Sequence, residues 1–138
     1  MLRVDWRHNR RRIIIPVSIF PPTPASDLTG REGQALLDTG STTSGVTQAT
    51  AEALGLIGRG KRPLGSAQGL GQAERYLFRI ALTPASEDGA PRFPFVFDEV
   101  IGFELSNSFQ WEALLGMDIL SQCEFIMRPD QSCSLRFG

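Results

Sequence analysis

Histidine and cysteine are scarce in this 138-residue chain. His8 is the only histidine, and Cys123 and Cys133 are the only cysteines. One chain therefore cannot assemble a histidine-based catalytic triad or a zinc site with the usual ligand spacing. We expect no metal and no cofactor. The two cysteines could pair, but the default expectation is two free thiols in a reducing cytoplasm.

Long apolar runs and a strong net charge are also missing. No run approaches the roughly 20 residues that span a bilayer. The net charge of -1 predicts no general attraction to nucleic acid or membranes. Residues 10–20, RRRIIIPVSIF, resemble a signal peptide only superficially, because Pro16 breaks the short apolar segment and PPTP follows it. The length and the apolar content of 41% indicate one soluble globular domain.

Basic residues crowd the N-terminus. Within residues 1–12 a single acid, Asp5, stands against five arginines, which are Arg3, Arg7, Arg10, Arg11 and Arg12. Such an arm could contact an acidic partner or a phosphate, but a solvated or frayed end is the simpler interpretation. We therefore expect a basic N-terminal arm over residues 1–12 and one domain over residues 13–138.

Most of that domain is typical of short strands. A brief helix is predicted over residues 47–55, where Gly55 would end it, and a single helical turn over residues 117–122. The predicted strands and hairpins share β-branched or alternating apolar residues between turn signals, and they cover residues 11–20, 34–38, 65–82, 92–103, 109–115 and 123–138. This pattern predicts an all-β fold, a small and partly closed β-barrel with one or two short helices.

Residues 33–45, GQALLDTGSTTSG, bring Asp38 to the end of an apolar run. Burial penalises a carboxylate, so its place there needs an explanation. One explanation is a buried strand that ends in an ordinary turn, since Asp, Ser and Gly are common turn residues. The other is that the carboxylate has a chemical role at this point.

Three segments in order carry a family resemblance. ALLDTGSTTSGVT at 35–47 is followed by the glycine-tipped hairpin SAQGLGQAERY at 66–76 and by ALLGMDIL at 113–120. This order resembles the retropepsin-like aspartic proteases, the retroviral proteases and their bacterial and cellular relatives, over roughly residues 13–137. The resemblance implies a barrel of the retropepsin (acid protease) type with a flap hairpin, aspartic-type endopeptidase activity, and Asp38 as the catalytic residue.

The same resemblance implies roles for the residues that follow Asp38. Thr39 would point its hydroxyl across a two-fold axis, and Gly40 would let the backbone approach the carboxylate closely enough to donate to it. Ser41 would donate to the outer carboxylate oxygen. The alternative for these residues is plain turn chemistry, with both hydroxyls solvated.

The resemblance extends to the second apolar segment and the hairpin. Gly116 would let Leu114 and Leu115 pass under the catalytic loop, while Asp118 could cap the short helix or pair with an arginine. Residues 67–76 would form the flap over an extended peptide, or else an ordinary exposed hairpin. The flap residues that we expect to bind substrate are Gln68, Gly69, Leu70 and Gly71.

The chemistry of peptide hydrolysis indicates how many copies of the chain the site needs. Peptide hydrolysis without a metal or a nucleophilic side chain needs a base for water and an acid for the carbonyl oxygen, and two carboxylates that share one proton supply both. The sequence contains a single D-T-G. We therefore expect a homodimer in which Asp38 meets its symmetry mate, with a polypeptide substrate in extended conformation. Residues 132–137 are the candidate interface strand.

Two other functions compete with this one. The fold could serve as a dimerisation or peptide-binding module with little or no hydrolysis, although such a module needs no carboxylate beside apolar strands. A nucleic-acid-binding barrel would depend on the N-terminal arginines, but the sequence lacks the basic and aromatic groove of such proteins. Thr42 and Thr43 replace the acids that usually follow in retroviral enzymes, which leaves the substrate preference open.

Overall fold

The computed structural model describes residues 1–22, 24, 27–66, 69–85 and 92–138, with the backbone alone at residues 66, 69 and 70. Strands dominate this part of the chain. The elements in order are β1 (Leu2–Arg7), β2 (Ile14–Phe20), β3 (Arg31–Leu37), β4 (Gly45–Thr47), α1 (Gln48–Ala53), β5 (Lys61–Ser66), β6 (Gly69–Leu82), β7 (Phe95–Leu105), β8 (Ala113–Leu115), α2 (Met117–Leu120), β9 (Glu124–Met127) and β10 (Ser132–Phe137).

Six strands close into a barrel around the core. Their order is β2-β3-β8-β4-β7-β6, and a further pairing of β2 with β6 completes the ring. This closing contact comprises three antiparallel residue pairs, from Ser18 with Ala81 to Phe20 with Arg79. Every second residue of β2, from Ile15 to Ile19, is buried in the core, as the period of a strand requires. The prediction of a small β-barrel is confirmed.

Both helices are short. Thr47 is the N-cap residue of α1, and its hydroxyl oxygen accepts a hydrogen bond from the Thr50 amide. Gly55 follows the helix with a φ of +66°, a left-handed conformation that favours glycine, so the predicted helix end is confirmed. No helix in the described ranges is long and apolar enough to cross a membrane.

A second sheet, in the order β1-β10-β9, contains half of the predicted N-terminal arm. Strand β1 pairs with β10 from Leu2 opposite Phe137 to Arg7 opposite Ser132. The expectation of a frayed end is therefore wrong for residues 2–7. Val4 and Trp6 alternate with charged residues and pack against the core, which is enough to hold the strand.

The same sheet changes the expectation for the dimer interface. Strand β10, the candidate interface strand, lies between β1 and β9 and pairs with both. Neither of its edges is open to a strand of a second copy. A partner can reach β10 only through a face of the sheet, or it must pair with β1 or β9.

A buried arginine lies where the barrel closes. Arg79 is 2% exposed and belongs to one of the three closing pairs. Its Nε donates to the carbonyl oxygen of Pro21 at 2.7 Å, and its Nη2 donates to that of Asp27 at 2.6 Å. The guanidinium carbon also lies 5.2 Å from the centre of the Phe20 ring. These contacts attach the segment after β2 to the closing contact of the barrel.

Candidate active site

Asp38 lies directly after β3, where this strand runs parallel to β8. The strand pairs place Ala35 opposite Ala113 and Leu37 opposite Leu115. The next amide, that of Asp38, donates to the Leu115 carbonyl oxygen at 3.0 Å. This bond fixes the backbone of Asp38 while its side chain stays half-buried. The buried strand β3, which the sequence predicted, thus places the Asp38 carboxylate at the end of two apolar strands.

The turn after Asp38 brings a backbone donor to the carboxylate. The Gly40 amide donates to Asp38 Oδ1 at 2.9 Å, as expected. A Cβ on residue 40 would lie 3.2 Å from the same oxygen, so a larger residue would crowd the carboxylate. Thr39 is exposed on this turn. The Gly40 amide therefore holds the Asp38 carboxyl group in a fixed orientation on this turn.

Ser41 does not have the expected partner. Its Oγ donates to the Thr43 carbonyl oxygen at 2.7 Å, and a hydroxyl has one proton to donate. The expectation that Ser41 donates to the outer oxygen of Asp38 is therefore wrong in this structure. The hydroxyl instead stabilises the backbone of the loop two residues further on.

The segment after β8 packs closely against this loop. The Met117 amide donates to the Ser41 carbonyl oxygen at 2.8 Å, and the Asp118 amide donates to that of Thr42 at 3.1 Å. A Cβ on Gly116 would lie 2.7 Å from the Thr43 carbonyl group. Glycine is required here because the two backbones touch. Leu115, just before it, is fully buried, and Leu114 is half-buried.

Sequence reasoning missed Ser44, which connects the two segments. Ser44 is 1% exposed, and both its Oγ (2.7 Å) and its amide (3.1 Å) donate to the Asp118 carboxylate. The Ser44 Oγ also accepts from the Gly116 amide at 2.9 Å. Asp118 therefore pairs with a serine instead of an arginine, and in the first turn of α2 it accepts from the Ile119 amide. The two partners are 74 positions apart in the sequence, so no local signal predicts the pair.

The predicted flap is a hairpin of β5 and β6. Its pairs run from Lys61 opposite Glu74 to Ser66 opposite Gly69, and Gly65 lies opposite Leu70. Gln68 lies outside the described residues. Gly71 is exposed, and a Cβ added there would meet open space. The hairpin is present, and its contact with a substrate remains a prediction.

Comparison with known proteins supports the fold of the chain that contains this site. A solved structure described as a retropepsin-like aspartic protease from Rickettsia conorii superposes with a TM-score of 0.64 and 16% sequence identity, over 98% of this chain and 90% of that one. No family model matches the sequence, and no curated protein matches it. At this identity the similarity shows a retropepsin-like fold, as the sequence predicted.

Proposed function

We propose that this chain is a homodimeric aspartic endopeptidase. The observation that carries the proposal is the position of Asp38, which lies at the end of two parallel apolar strands with the Gly40 amide 2.9 Å from its carboxylate. This turn lies in a retropepsin-like fold. The Asp38 backbone amide is held by the Leu115 carbonyl oxygen, and its carboxylate is held by the Gly40 amide.

The second carboxylate is proposed to come from a second copy. The sequence holds one D-T-G, and the carboxylate of Asp118 is occupied by Ser44. In a two-fold dimer, Asp38 of each protomer faces its mate, an isologous contact of the commonest kind. Two carboxyl groups that face each other this closely are not both ionised, because their negative charges repel. The pair therefore holds one proton between them.

The shared proton defines the mechanism. The ionised carboxylate accepts a proton from water as the water oxygen attacks the peptide carbonyl carbon, and the protonated carboxylate donates to the carbonyl oxygen. The carboxyl group that took the proton from water then donates it to the amide nitrogen, and a hydroxyl of the tetrahedral intermediate returns its proton to the other carboxylate as the C–N bond breaks. The products are an amine and a carboxylic acid, and the pair again holds one proton. The β5–β6 hairpin closes over an extended peptide and binds its backbone.

The test is the rate of hydrolysis of a diverse peptide mixture, followed by mass spectrometry from about pH 3 to about pH 9. Wild type should show a rate that rises and then falls with pH, on the acidic side of neutral. Asp38→Asn should lower it by a factor on the order of 1,000, because the amide cannot act as a base. Asp98→Asn, which changes an exposed carboxylate on β7, is the matched control and should keep full activity.

Assembly is tested in the same assay. Mixing wild type with an excess of Asp38→Asn protomers should reduce activity, because each mixed dimer holds a single carboxylate. Full activity in the pure Asp38→Asn protein, or loss of activity on adding a chelator, would contradict the mechanism. Peptides that bind without cleavage at any pH would instead indicate the peptide-binding module.

A further inference from the structure

The turn between β1 and β2 presents three consecutive arginines on an ordered backbone. We call residues 8–12 the arginine turn. Asn9 Oδ1 accepts from the amides of Arg11 (2.9 Å) and Arg12 (2.7 Å), and His8 Nδ1 accepts from the amide of Arg10 (2.9 Å). The His8 amide donates to the Gln131 carbonyl oxygen at 3.0 Å. The turn is therefore attached to the β9–β10 turn beside it.

A groove of about 580 Å³ lies between these two turns. Its lining is basic and apolar and comprises His8, Arg10, Arg11, Arg12, Ile13, Met127, Arg128, Pro129 and Gln131. The described ion pairs are elsewhere, between Arg3 and Asp5 and between Arg136 and Glu124. The carboxylate nearest in sequence, that of Asp130, accepts from the amide and hydroxyl of Ser132. Hydrogen bonds from Ser132 and, after them, the charges of Arg7 and Arg128 lower the pKa of Asp130. Arg10, Arg11 and Arg12 form no ion pair within the described residues.

The arginine turn lies beside the candidate active site. The Leu37 amide donates to the Ile13 carbonyl oxygen at 2.9 Å, which continues the pairing of Ile14 with Leu36. One step further in each direction are Arg12 and Asp38. An extended chain advances about 3.3 Å per residue, so a peptide at Asp38 reaches this turn within a few residues.

We propose that the arginine turn is a subsite for acidic side chains of the substrate. This inference rests on the proposed endopeptidase and gives it a substrate class, peptides that carry Asp or Glu within a few residues of the cleaved bond. The apolar lining from Ile13, Met127 and Pro129 suits the methylene groups of such side chains. A peptide is favoured over a nucleic acid because none of Phe, Tyr or Trp lines the groove to stack a base.

The experiment measures binding without cleavage. The 138-residue Asp38→Asn chain is titrated into a fluorescein-labelled peptide that contains a run of Glu, and into the same peptide with Gln at those positions. The Glu peptide should bind about tenfold more tightly, since several exposed charge pairs contribute modestly each, and added salt should reduce the difference. Adding Arg11→Gln and Arg12→Gln together should abolish the preference.

Arg31→Gln is the matched control, because Arg31 is exposed at the far end of β3 from Asp38. It should leave the preference unchanged. Equal binding of the two peptides, or an equal loss in the control, would overturn the subsite. Displacement of the Glu peptide by oligothymidylate of the same charge at lower concentration would also overturn it, in favour of a nucleic-acid site.

Failure of this inference is distinguishable from failure of the proposed function. Wild type that cleaves Glu and Gln peptides at equal rates remains an endopeptidase, but that result contradicts the acidic subsite. A Glu preference in binding supports the subsite even if wild type cleaves neither peptide, whereas that absence of cleavage would contradict the endopeptidase.

Discussion

At the scale of the single residue, Cys123 shows how burial sets reactivity near the candidate site. Both cysteines are free, and Cys123 lies three residues after the end of α2. Its Sγ donates to the Ile119 carbonyl oxygen at 3.5 Å. Burial raises the pKa of this thiol from 9.0 to about 11. The thiol is therefore neutral at physiological pH and a poor nucleophile.

Alkylation with iodoacetamide checks this shift. At pH near 8, Cys123 should react about 100-fold more slowly than a small thiol of pKa 9.0, because its thiolate fraction is smaller by that factor. The rate should increase steeply as the pH approaches about 11. The folded state prefers the protonated thiol. This preference adds to the free energy of unfolding below pH 9.0, and the added amount is lost as the pH rises toward about 11. The urea-unfolded protein is the control, and a folded rate at pH 8 equal to the unfolded one would contradict the shift.

The candidate site was predictable from sequence only where the signal was local. Asp38 and the Gly40 amide are two residues apart, and the small residues between them predict that contact. The partner of Ser41 was not predictable, since small residues let the loop fold in several ways and the choice of Thr43 depends on its final path. Ser44 and Asp118 meet only because β8 inserts beside β4.

At the scale of the element, the turn from β8 into α2 is the most demanding junction of the site. Its residues donate backbone hydrogen bonds to the loop after Asp38, and Gly116 is in contact with that loop. The sequence predicted a strand, a glycine and a helical turn here. The family resemblance implied that Gly116 lets this segment pass under the catalytic loop, but it could not identify Thr43 as the backbone in contact, because Thr43 lies some 70 residues away.

Gly116→Ala should therefore destabilise the protein. The added Cβ would lie 2.7 Å from the Thr43 carbonyl group, and backbone cannot move aside as a flexible side chain can. We expect a loss of about 1–3 kcal/mol in the free energy of unfolding, measured by urea denaturation, together with lower peptidase activity. Gly71→Ala is the control, because its Cβ meets open space, and its free energy of unfolding should change by less than about 0.5 kcal/mol. Similar unfolding midpoints for both variants would contradict the packing argument.

The sequence did not lead us to predict β1, and the reason concerns the pattern of charged and apolar residues along the element. Arginines at residues 3, 7 and 10–12 suggested a solvated arm, and charge density outweighed the alternation of Val4 and Trp6 with charged neighbours. That alternation is the signal of a strand with one buried face. Charge on the outer face does not oppose strand formation when the inner face packs on the core.

At the scale of the whole molecule, the barrel class was predictable but its strand order was not. Short alternating strands with turn signals predict a barrel. The insertion of β8 between β3 and β4, parallel to one and antiparallel to the other, joins segments far apart in sequence. Closure of the ring by three residue pairs of β2 and β6 is likewise a long-range event, and Arg79 is buried at that closure.

Arg79→Met should weaken the closed barrel. Methionine keeps much of the volume but leaves the carbonyl groups of Pro21 and Asp27 without their donor. We expect a loss of about 1–3 kcal/mol in the free energy of unfolding for such unsatisfied groups. Arg31→Met, at an exposed position on β3, is the control and should keep the wild-type value. Thermal and urea unfolding give both values, and equal midpoints for the two variants would show that Arg79 does not stabilise the closure.

The circular strand order also limits how the folded chain can aggregate. Closure of the ring gives each barrel strand a neighbour on both sides, so among the described strands those with a neighbour on one side alone are β1, β5 and β9. Strand β5 begins with Lys61, Arg62 and Pro63, where charge repels a second copy and proline lacks the amide that a new strand would need. Of these three strands, β1 and β9 at the outer edges of the smaller sheet lack a proline and are therefore the ones to which a strand of a second copy could add.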